Sequence, residues 1–402
     1  MEDKQMKGLP RNFKALILAT LPYQLVSSIS GILFLWIVLE YTASPILGGI
    51  FSDVSEIGIL FIVPISLYIS RVKGKKSVYI KSQLFVALSA IVVFIIFLTG
   101  NRMWELIAIF SLSFTNMFLL LFARTIVVFW QSQFLQKEQY QGGFAYSEAL
   151  IAAANLGSYA LAGILTYFNY SYALGIFAVG ILFSTILATR IHPESDNYVP
   201  PERKPFRESY SEITKNPSMK QYLAYVFTSG FITAPMSLIL LELVIIRFSG
   251  SSFALTFILT VSMSATIIGP MLASKVKKGI LTNFIIISIA PIALLMILLA
   301  FLFQYIFVAI DLFFILLAFT FHLPFSGNLK YSIADEKHII ALQSIDDLLQ
   351  FLPYLIMLPI TGIVIQLFGI DYALYLAAVM PIIAIAVLYK SEELHHFSVQ
   401  GE

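Results

Sequence analysis

The sequence predicts an all-α polytopic membrane protein: twelve transmembrane helices arranged as two pseudo-symmetric six-helix bundles, with both termini cytoplasmic. Three observations carry this. The chain of 402 residues is 59% hydrophobic and only 12% charged, with a mean hydropathy of +0.87, whereas a soluble domain carries about 25% charged residues. One long polar stretch, residues 191–219, separates two apolar blocks, each long enough for about six crossings of ~20 residues. The basic residues alternate between loops in the way that twelve crossings require.

The spans fall at about 14–39, 45–69, 78–99, 105–130, 143–167, 171–190, 221–246, 253–274, 280–302, 305–327, 339–367 and 371–389. The run 280–327 would be roughly 70 Å as one helix, more than twice the bilayer core, so it turns at its polar break Gln304–Tyr305. With this division, 22 of the 25 Lys and Arg residues lie on the side of the N-terminus. Arg102 and Arg247 lie on the other side, and Arg124 lies inside a span. That bias puts both termini in the cytoplasm. The basic N-terminus precedes an apolar run too long for a signal-peptide core, so it reads as a cytoplasmic tail before span one.

The domains are then residues 1–190 and 220–402, two six-helix halves, joined by a cytoplasmic linker over 191–219. Pro200-Pro201 suggests an extended piece, and Arg203, Lys204 and Arg207 a short basic surface helix along Phe206–Thr214. The halves repeat at an offset near 200 residues. Ser70-Arg71-Val72-Lys73-Gly74-Lys75-Lys76 matches Ser274-Lys275-Val276-Lys277-Lys278-Gly279, and Leu161–Ile164 matches Ile360–Ile363. Parallel halves of six spans are related by an axis along the membrane normal.

Several function classes are excluded or disfavoured. There is no cysteine and hence no disulfide or thiolate metal site. No basic patch interleaved with exposed aromatics suggests nucleic acid. No GxxxxGK[ST] loop suggests ATP hydrolysis. The outer loops are too short for a ligand-binding module.

Ionisable residues within spans are functional candidates by default. Asp53 and Glu56 are three apart in span two and share a face with Gly49. Glu56 is roughly 20 Å from the span's cytoplasmic end at Ser70. A carboxyl group at that depth is costly to ionise, so it can load and release a proton as the site changes sides; it can equally hydrogen-bond a neighbouring helix. Arg124 and Glu148 lie at similar depth on the two arms of a hairpin and should pair, because an unpaired buried charge is strongly unfavourable. The repeat places His322 and the Asp346-Asp347 pair in the corresponding positions, which predicts a second pair there. Both pairs can be static staples, although histidine titrates near neutral pH. Glu242 lies close enough to Arg247 for a local ion pair, and Glu40, Asp311 and Asp371 should reach the interface by snorkelling. Gln24, Ser27, Ser28 and Ser30 form a polar face on span one beside Pro22 and Gly31. With Tyr23, Glu242 and Tyr354 they are the substrate-cavity candidates.

At the cytoplasmic end of span two, Ser70, Arg71, Gly74, Lys75 and Lys76 form a basic, Gly-centred turn. It resembles the signature loop of the major facilitator superfamily, with the acidic residue of that motif absent and Pro64 near the place of its first Gly. Arg124 resembles the family's intramembrane arginine. The run Phe134–Gln139 followed by Ala145 and Gly157 to Gly163 resembles the efflux-type branch, and Lys215-Asn216-Pro217 is similar to the family's re-entry before span seven. The resemblance covers essentially the whole chain. It implies alternating access around a central cavity, with Arg71, Gly74, Lys75 and Lys76 as a gating loop.

The function this implies is proton-coupled export of a small organic molecule by an antiporter in a prokaryotic cell membrane. The carboxyl-rich candidates favour a neutral or cationic amphipathic substrate. The expected partners are the substrate, protons and the lipid bilayer, with no nucleic acid, no cofactor and no resident metal, and with the chain as a monomer. The alternatives are a divalent-cation transporter using Asp53 and Glu56, a sparse cage for such an ion, and an intramembrane lipid-modifying enzyme built on His322 with Asp346 or Asp347.

Overall fold

The computed structural model describes residues 10–135, 140–165, 170–193, 215–276, 279–333 and 339–399. The chain runs as α1 (Arg11–Thr42), α2 (Pro45–Glu56), a 3₁₀ turn (Ile57–Phe61), α3 (Ile62–Arg71), α4 (Lys75–Phe97), α5 (Arg102–Phe134), α6 (Tyr140–Leu165) and α7 (Tyr170–Ala188). It continues as α8 (Pro217–Thr233), α9 (Met236–Arg247), α10 (Ser252–Ala273), β1 (Gly279–Ile280), α11 (Leu281–Leu299), α12 (Tyr305–Ile333), α13 (Ile339–Phe368) and α14 (Ile370–Tyr389), then a 3₁₀ turn (Glu392–His396) and β2 (Ser398–Val399). Ten helical segments among the described residues are long and apolar enough to cross a membrane, α8 and α9 counting as one. The chain is an integral, multi-pass membrane protein. The remaining two predicted spans are the interrupted run 45–71 and the helix 140–165, whose apolar part is Leu150–Ala162.

The interruptions have local causes. Pro64 lacks an N–H and its ring crowds the carbonyl four residues back, at Leu60, inside the 3₁₀ turn. Pro235 does the same to Phe231, and α8 ends at Thr233. Helix starts are capped where the chain must satisfy free N–H groups. The Asn101 side chain accepts from the N–H groups of Met103 and Trp104, Asn216 from Met219, and Ser251 from Ala254.

On α7, almost wholly apolar, the two faces differ in small residues rather than in polarity. The ridge Tyr172, Ile176, Val179, Phe183 and Ile186 is exposed, while Ala173, Leu174, Phe177, Ala178, Ile181 and Ser184 are buried. Small residues let backbones approach, and long apolar ones face acyl chains.

The chain divides into two compact units, Met1–Ile37 with Ile57–Glu202, and Val38–Glu56 with Arg203–Glu402. The division near residue 202 falls within the predicted linker, most of which, including its predicted surface helix, lies outside the described residues. The tip formed by the end of α1 and all of α2 groups with the second unit, a regrouping that the sequence boundaries did not foresee. In the second unit the C-terminal tail folds back. Its β2 pairs antiparallel with β1, the Thr282 hydroxyl hydrogen-bonds His395 Nδ1 at 3.1 Å, and Leu394 is fully buried.

Candidate functional site

In the second unit, α2 and α13 meet backbone to backbone. A Cβ on Gly49 would lie 2.6 Å from the Leu358 carbonyl oxygen, and one on Gly362 would lie 2.5 Å from the Pro45 carbonyl oxygen. Real Cβ atoms do not approach so closely, so glycine is required at both places. Beyond Gly362, the Ser44 hydroxyl donates to Gln366 Oε1 at 3.2 Å. Pro45 meets Gly362 and Gly49 meets Leu358, so four residues forward on α2 is four back on α13. Continued one step further, the same register would set Asp53 opposite Tyr354.

Asp53 Oδ1 is buried and has no hydrogen-bond partner among the described residues. The Tyr354 hydroxyl donates to Thr233 Oγ1 at 2.9 Å, on the last residue of α8 before the helix breaks. One turn earlier, Gly230 rests on α13, where a Cβ would meet the Gln350 carbonyl oxygen at 2.5 Å and Pro353 Cγ at 2.9 Å. Glu56 closes α2, half-buried, where the helix gives way to the 3₁₀ turn. The site therefore offers one under-solvated carboxylate on α2 and a hydrogen-bonded tyrosine–threonine pair on the helix it packs against. Such a carboxylate can take a proton or a cationic group.

The first unit holds the polar face of α1. Tyr23 donates to Asn116 Oδ1 at 3.2 Å and hydrogen-bonds Ser27. Gln24 Nε2 and the Ser28 hydroxyl both donate to Asn155 Oδ1, at 3.1 and 2.8 Å. Asn116 and Asn155 were not among the sequence candidates. Their signal is an amide in an otherwise apolar run, where hydrocarbon offers it no partner.

The basic loop is built into the first unit. Gly74 takes a left-handed conformation, with φ of +72°. Lys75 is fully buried, donates to the Val72 carbonyl at 2.8 Å and lies 4.6 Å from the centre of the Phe129 ring. Lys76 donates to the carbonyls of Thr189 and Ile191 at 2.7 and 2.6 Å. It thereby caps the C-terminal end of α7, where a cation complements the helix dipole. The side chain of Arg71 lies outside the described residues.

The charged pairs differ from the sequence expectation. Asp346 pairs with Lys330 at 2.8 Å, not with His322, and accepts from the Tyr222 hydroxyl at 3.1 Å. Both charged side chains are 10% exposed. Lys330, placed in a loop by the sequence, lies instead within α12, in its last turn. It lies about two turns past His322, and its ammonium is the group that reaches the Asp346 carboxylate. His322 is 2% exposed, its Nδ1 has no partner among the described residues, and its ring sits edge-on to Phe319. Asp347 is half-buried. The Glu148 side chain lies outside the described residues, so the Arg124–Glu148 pair stays an expectation.

Arg247 also chooses other partners. Instead of Glu242 it takes Asp371 and the carbonyls of Leu299, Ala300 and Leu302. The exposed C-terminal carbonyls of α11 are acceptors that no sequence spacing reveals. Glu242 is 4% exposed in α9. Asp311 does not snorkel: it is 4% exposed, and neither carboxylate oxygen has a partner among the described residues. No cluster of three or more His, Cys, Asp or Glu that could hold a metal occurs among the described residues.

No protein-family model and no curated protein matches the sequence. Solved structures do match. The nucleoside transporter NupG superposes with a TM-score of 0.70 at 13% identity, over 96% of this chain and 100% of that one. A bacterial homologue of the iron transporter ferroportin, inward-facing, gives 0.72 at 13% over 95% and 98%. A D-xylose–proton symporter gives 0.74 at 13% over 94% and 96%. All three are transport proteins of the major facilitator type, and this chain has the major facilitator fold.

Proposed function

We propose that the protein is a secondary active transporter working by alternating access, which exports a small neutral or cationic amphipathic molecule in exchange for protons. The reading includes twelve crossings and cytoplasmic termini. The observation that carries it is the Asp53 oxygen on the Gly49 ridge, which packs against the helix that carries Tyr354 and its hydrogen bond to Thr233. Asp53 is half-buried, with one oxygen shut off from water and unpartnered among the described residues, which makes its charged form unfavourable. That cost is relieved by a proton, by a cation on the substrate or by a hydrogen-bond donor of a neutral one, and the protonated and substrate-bound forms exclude each other. Mutually exclusive binding is a negative coupling between two ligands, and it is reciprocal. That is the thermodynamic requirement of exchange. Tyr354 and Thr233 then supply hydroxyls to orient the solute, and Glu56 is a second carboxyl within one turn.

The test is substrate-driven proton flux in proteoliposomes across a panel of lipophilic cations and neutral amphiphiles. The wild type moves protons against at least one compound, and Asp53→Asn abolishes the coupled proton movement. Flux that is equally proton-coupled in Asp53→Asn overturns the assignment, and Glu56→Gln measured alongside shows whether the second carboxyl shares the role.

A second reading is a divalent-cation transporter through Asp53 and Glu56. It is favoured by the likeness to the ferroportin homologue and to a bacterial metal transporter, the latter at a TM-score of 0.67 and 14% identity over 96% of this chain and 99% of that one. Two carboxylates make a sparse cage for such an ion. Uptake of manganese or iron(II) into the same liposomes, lost in Asp53→Asn, would select this reading over the first.

A further inference from the structure

A lateral cleft of about 910 Å³ opens in the first unit between α6 and α7. Leu21, Pro22, Leu25 and Val26 of α1 form its floor, Leu150, Ala153 and Ala154 of α6 one wall, and Gly175, Gly180 and the ridge from Tyr172 to Phe183 of α7 the other. Its volume is in the range of small-molecule sites, about 300–1,000 Å³, yet no lining side chain offers a charge or an amide. A water molecule needs two to four polar partners, and this cleft supplies none in its depth.

We propose that the cleft binds one acyl chain of a membrane phospholipid, taken from the leaflet on the side of the short loops. Three features select that occupant. The cleft's rim is the exposed ridge Tyr172, Ile176, Val179 and Phe183, so it is continuous with the surface that α7 presents to hydrocarbon. From Tyr172, two residues into α7, to Phe183 is eleven residues, or about 17 Å, close to half of the ~30 Å hydrocarbon thickness. The groove thus starts at the membrane boundary and ends near the midplane, the depth of one chain in one leaflet. The α7 wall is cut back at Gly175, while Gly180 is closed against Val26 and bounds the groove below it. A Cβ on Gly175 would meet nothing nearer than Phe94 Cε2 at 3.8 Å, so there is room that the protein's own side chains leave unfilled. On the adjoining faces, the hydrogen bonds from Gln24 and Ser28 to Asn155 hold α6 to α1 and keep the polar groups out of the groove.

The experiment uses the full chain in phosphatidylglycerol–phosphatidylethanolamine vesicles doped with a phospholipid carrying a diazirine in mid-chain, with adducts mapped by mass spectrometry. Adducts per residue on the cleft-lining positions of α1, α6 and α7 should exceed those at Ile287 and Leu294, two residues of α11 that are 68% and 69% exposed. Gly175→Leu and, independently, Ala153→Leu fill the groove and should lose the cleft adducts while the α11 adducts persist. The persisting adducts also report that each variant is folded and inserted. Equal labelling of cleft and α11 in the wild type overturns the proposal, as does cleft labelling retained in both variants. So does labelling of the cleft by a water-soluble carbene precursor, which makes it aqueous. Cross-links between two protein chains at the cleft would instead assign it to a second copy and overturn the lipid.

Discussion

Replacing Lys330 by methionine should destabilise the second unit by about 3–5 kcal/mol, the cost of leaving one charge of a buried pair without its partner. The buried figure applies because both side chains are 10% exposed and the contact is 2.8 Å; an exposed pair would be worth about 0–1 kcal/mol. After the substitution the Tyr222 hydroxyl, at 3.1 Å, is the donor left to Asp346 among the described residues, one neutral donor for a full charge. Asp346→Asn removes the carboxylate that faces the ammonium at 2.8 Å and should also destabilise the unit. Lys330→Met/Asp346→Leu removes both charges and should recover most of the loss, because apolar residues of similar volume replace buried pairs at little cost. The Tyr222 hydroxyl keeps Ser326 but loses its acceptor on Asp346, which leaves the recovery incomplete by about 0.6 kcal/mol, the typical worth of an interhelical hydrogen bond in a membrane protein. The assay is reversible unfolding of the purified protein in mixed micelles with a denaturing detergent, read as a double-mutant cycle. His322→Ala should show no coupling with Asp346→Asn. A Lys330→Met cost below about 1 kcal/mol, or a coupling of Asp346 to His322, would refute the pairing.

Two further predictions rest on the same unit. Arg247→Ala should cost at least about 3 kcal/mol, because it strips charge-assisted hydrogen bonds, each worth about 1.5–3 kcal/mol, from three carbonyls at the end of α11. Asp371→Asn should cost under about 1 kcal/mol, since that carboxylate is 51% exposed; equal losses in the same unfolding assay would show that the ion pair, not the carbonyl cap, is what Arg247 supplies. The chain has no cysteine, so Ser44→Cys/Gln366→Cys gives a clean thiol pair across the α2–α13 contact. A short bifunctional reagent should bridge it efficiently, and adding Gly49→Val should lower the yield by forcing α2 off the Leu358 carbonyl. Unchanged yield with Gly49→Val would mean that the backbone contact does not hold the helices.

Element boundaries were legible because they follow from local contrast. Hydropathy steps at the loops place the helix ends within a few residues for most spans, and Pro235 marks the break between α8 and α9. Pro64 and the 3₁₀ turn before it show the same logic, although the sequence offered Pro64 only as a departure from a loop motif. What local contrast cannot convey is choice of partner. The repeat argued for His322 against Asp346 because it compared positions along the chain. The fold instead sets Lys330, about two turns further along α12, against Asp346 of α13. The C-terminal tail is a second instance. Residues 392–399 are short and polar enough to read as a loose end, yet Leu394 is fully buried and the backbone pairs with Gly279–Ile280. A two-residue strand has no periodicity to detect.

The candidate site was legible as chemistry and not as geometry. Asp53 drew attention as a carboxyl inside a span, and Tyr354 as a substrate-cavity candidate on another span, and nothing in the sequence connects them. The connection is made by Gly49 and Gly362, which let α2 and α13 touch through their backbones and so fix the register that would set Asp53 opposite Tyr354. A search for charges also passes over Asn116 and Asn155, which are neutral but hold the polar face of α1. In hydrocarbon an amide without a partner is costly. Gln24, Asn116 and Asn155 are amides inside three apolar runs, and their need for partners is itself a constraint on which helices can be neighbours. Neutral amides, counted along with charges, narrow which helices can be neighbours but do not name the partner. They do not yield the α2–α13 register, because that contact is made by two residues with no side chain at all.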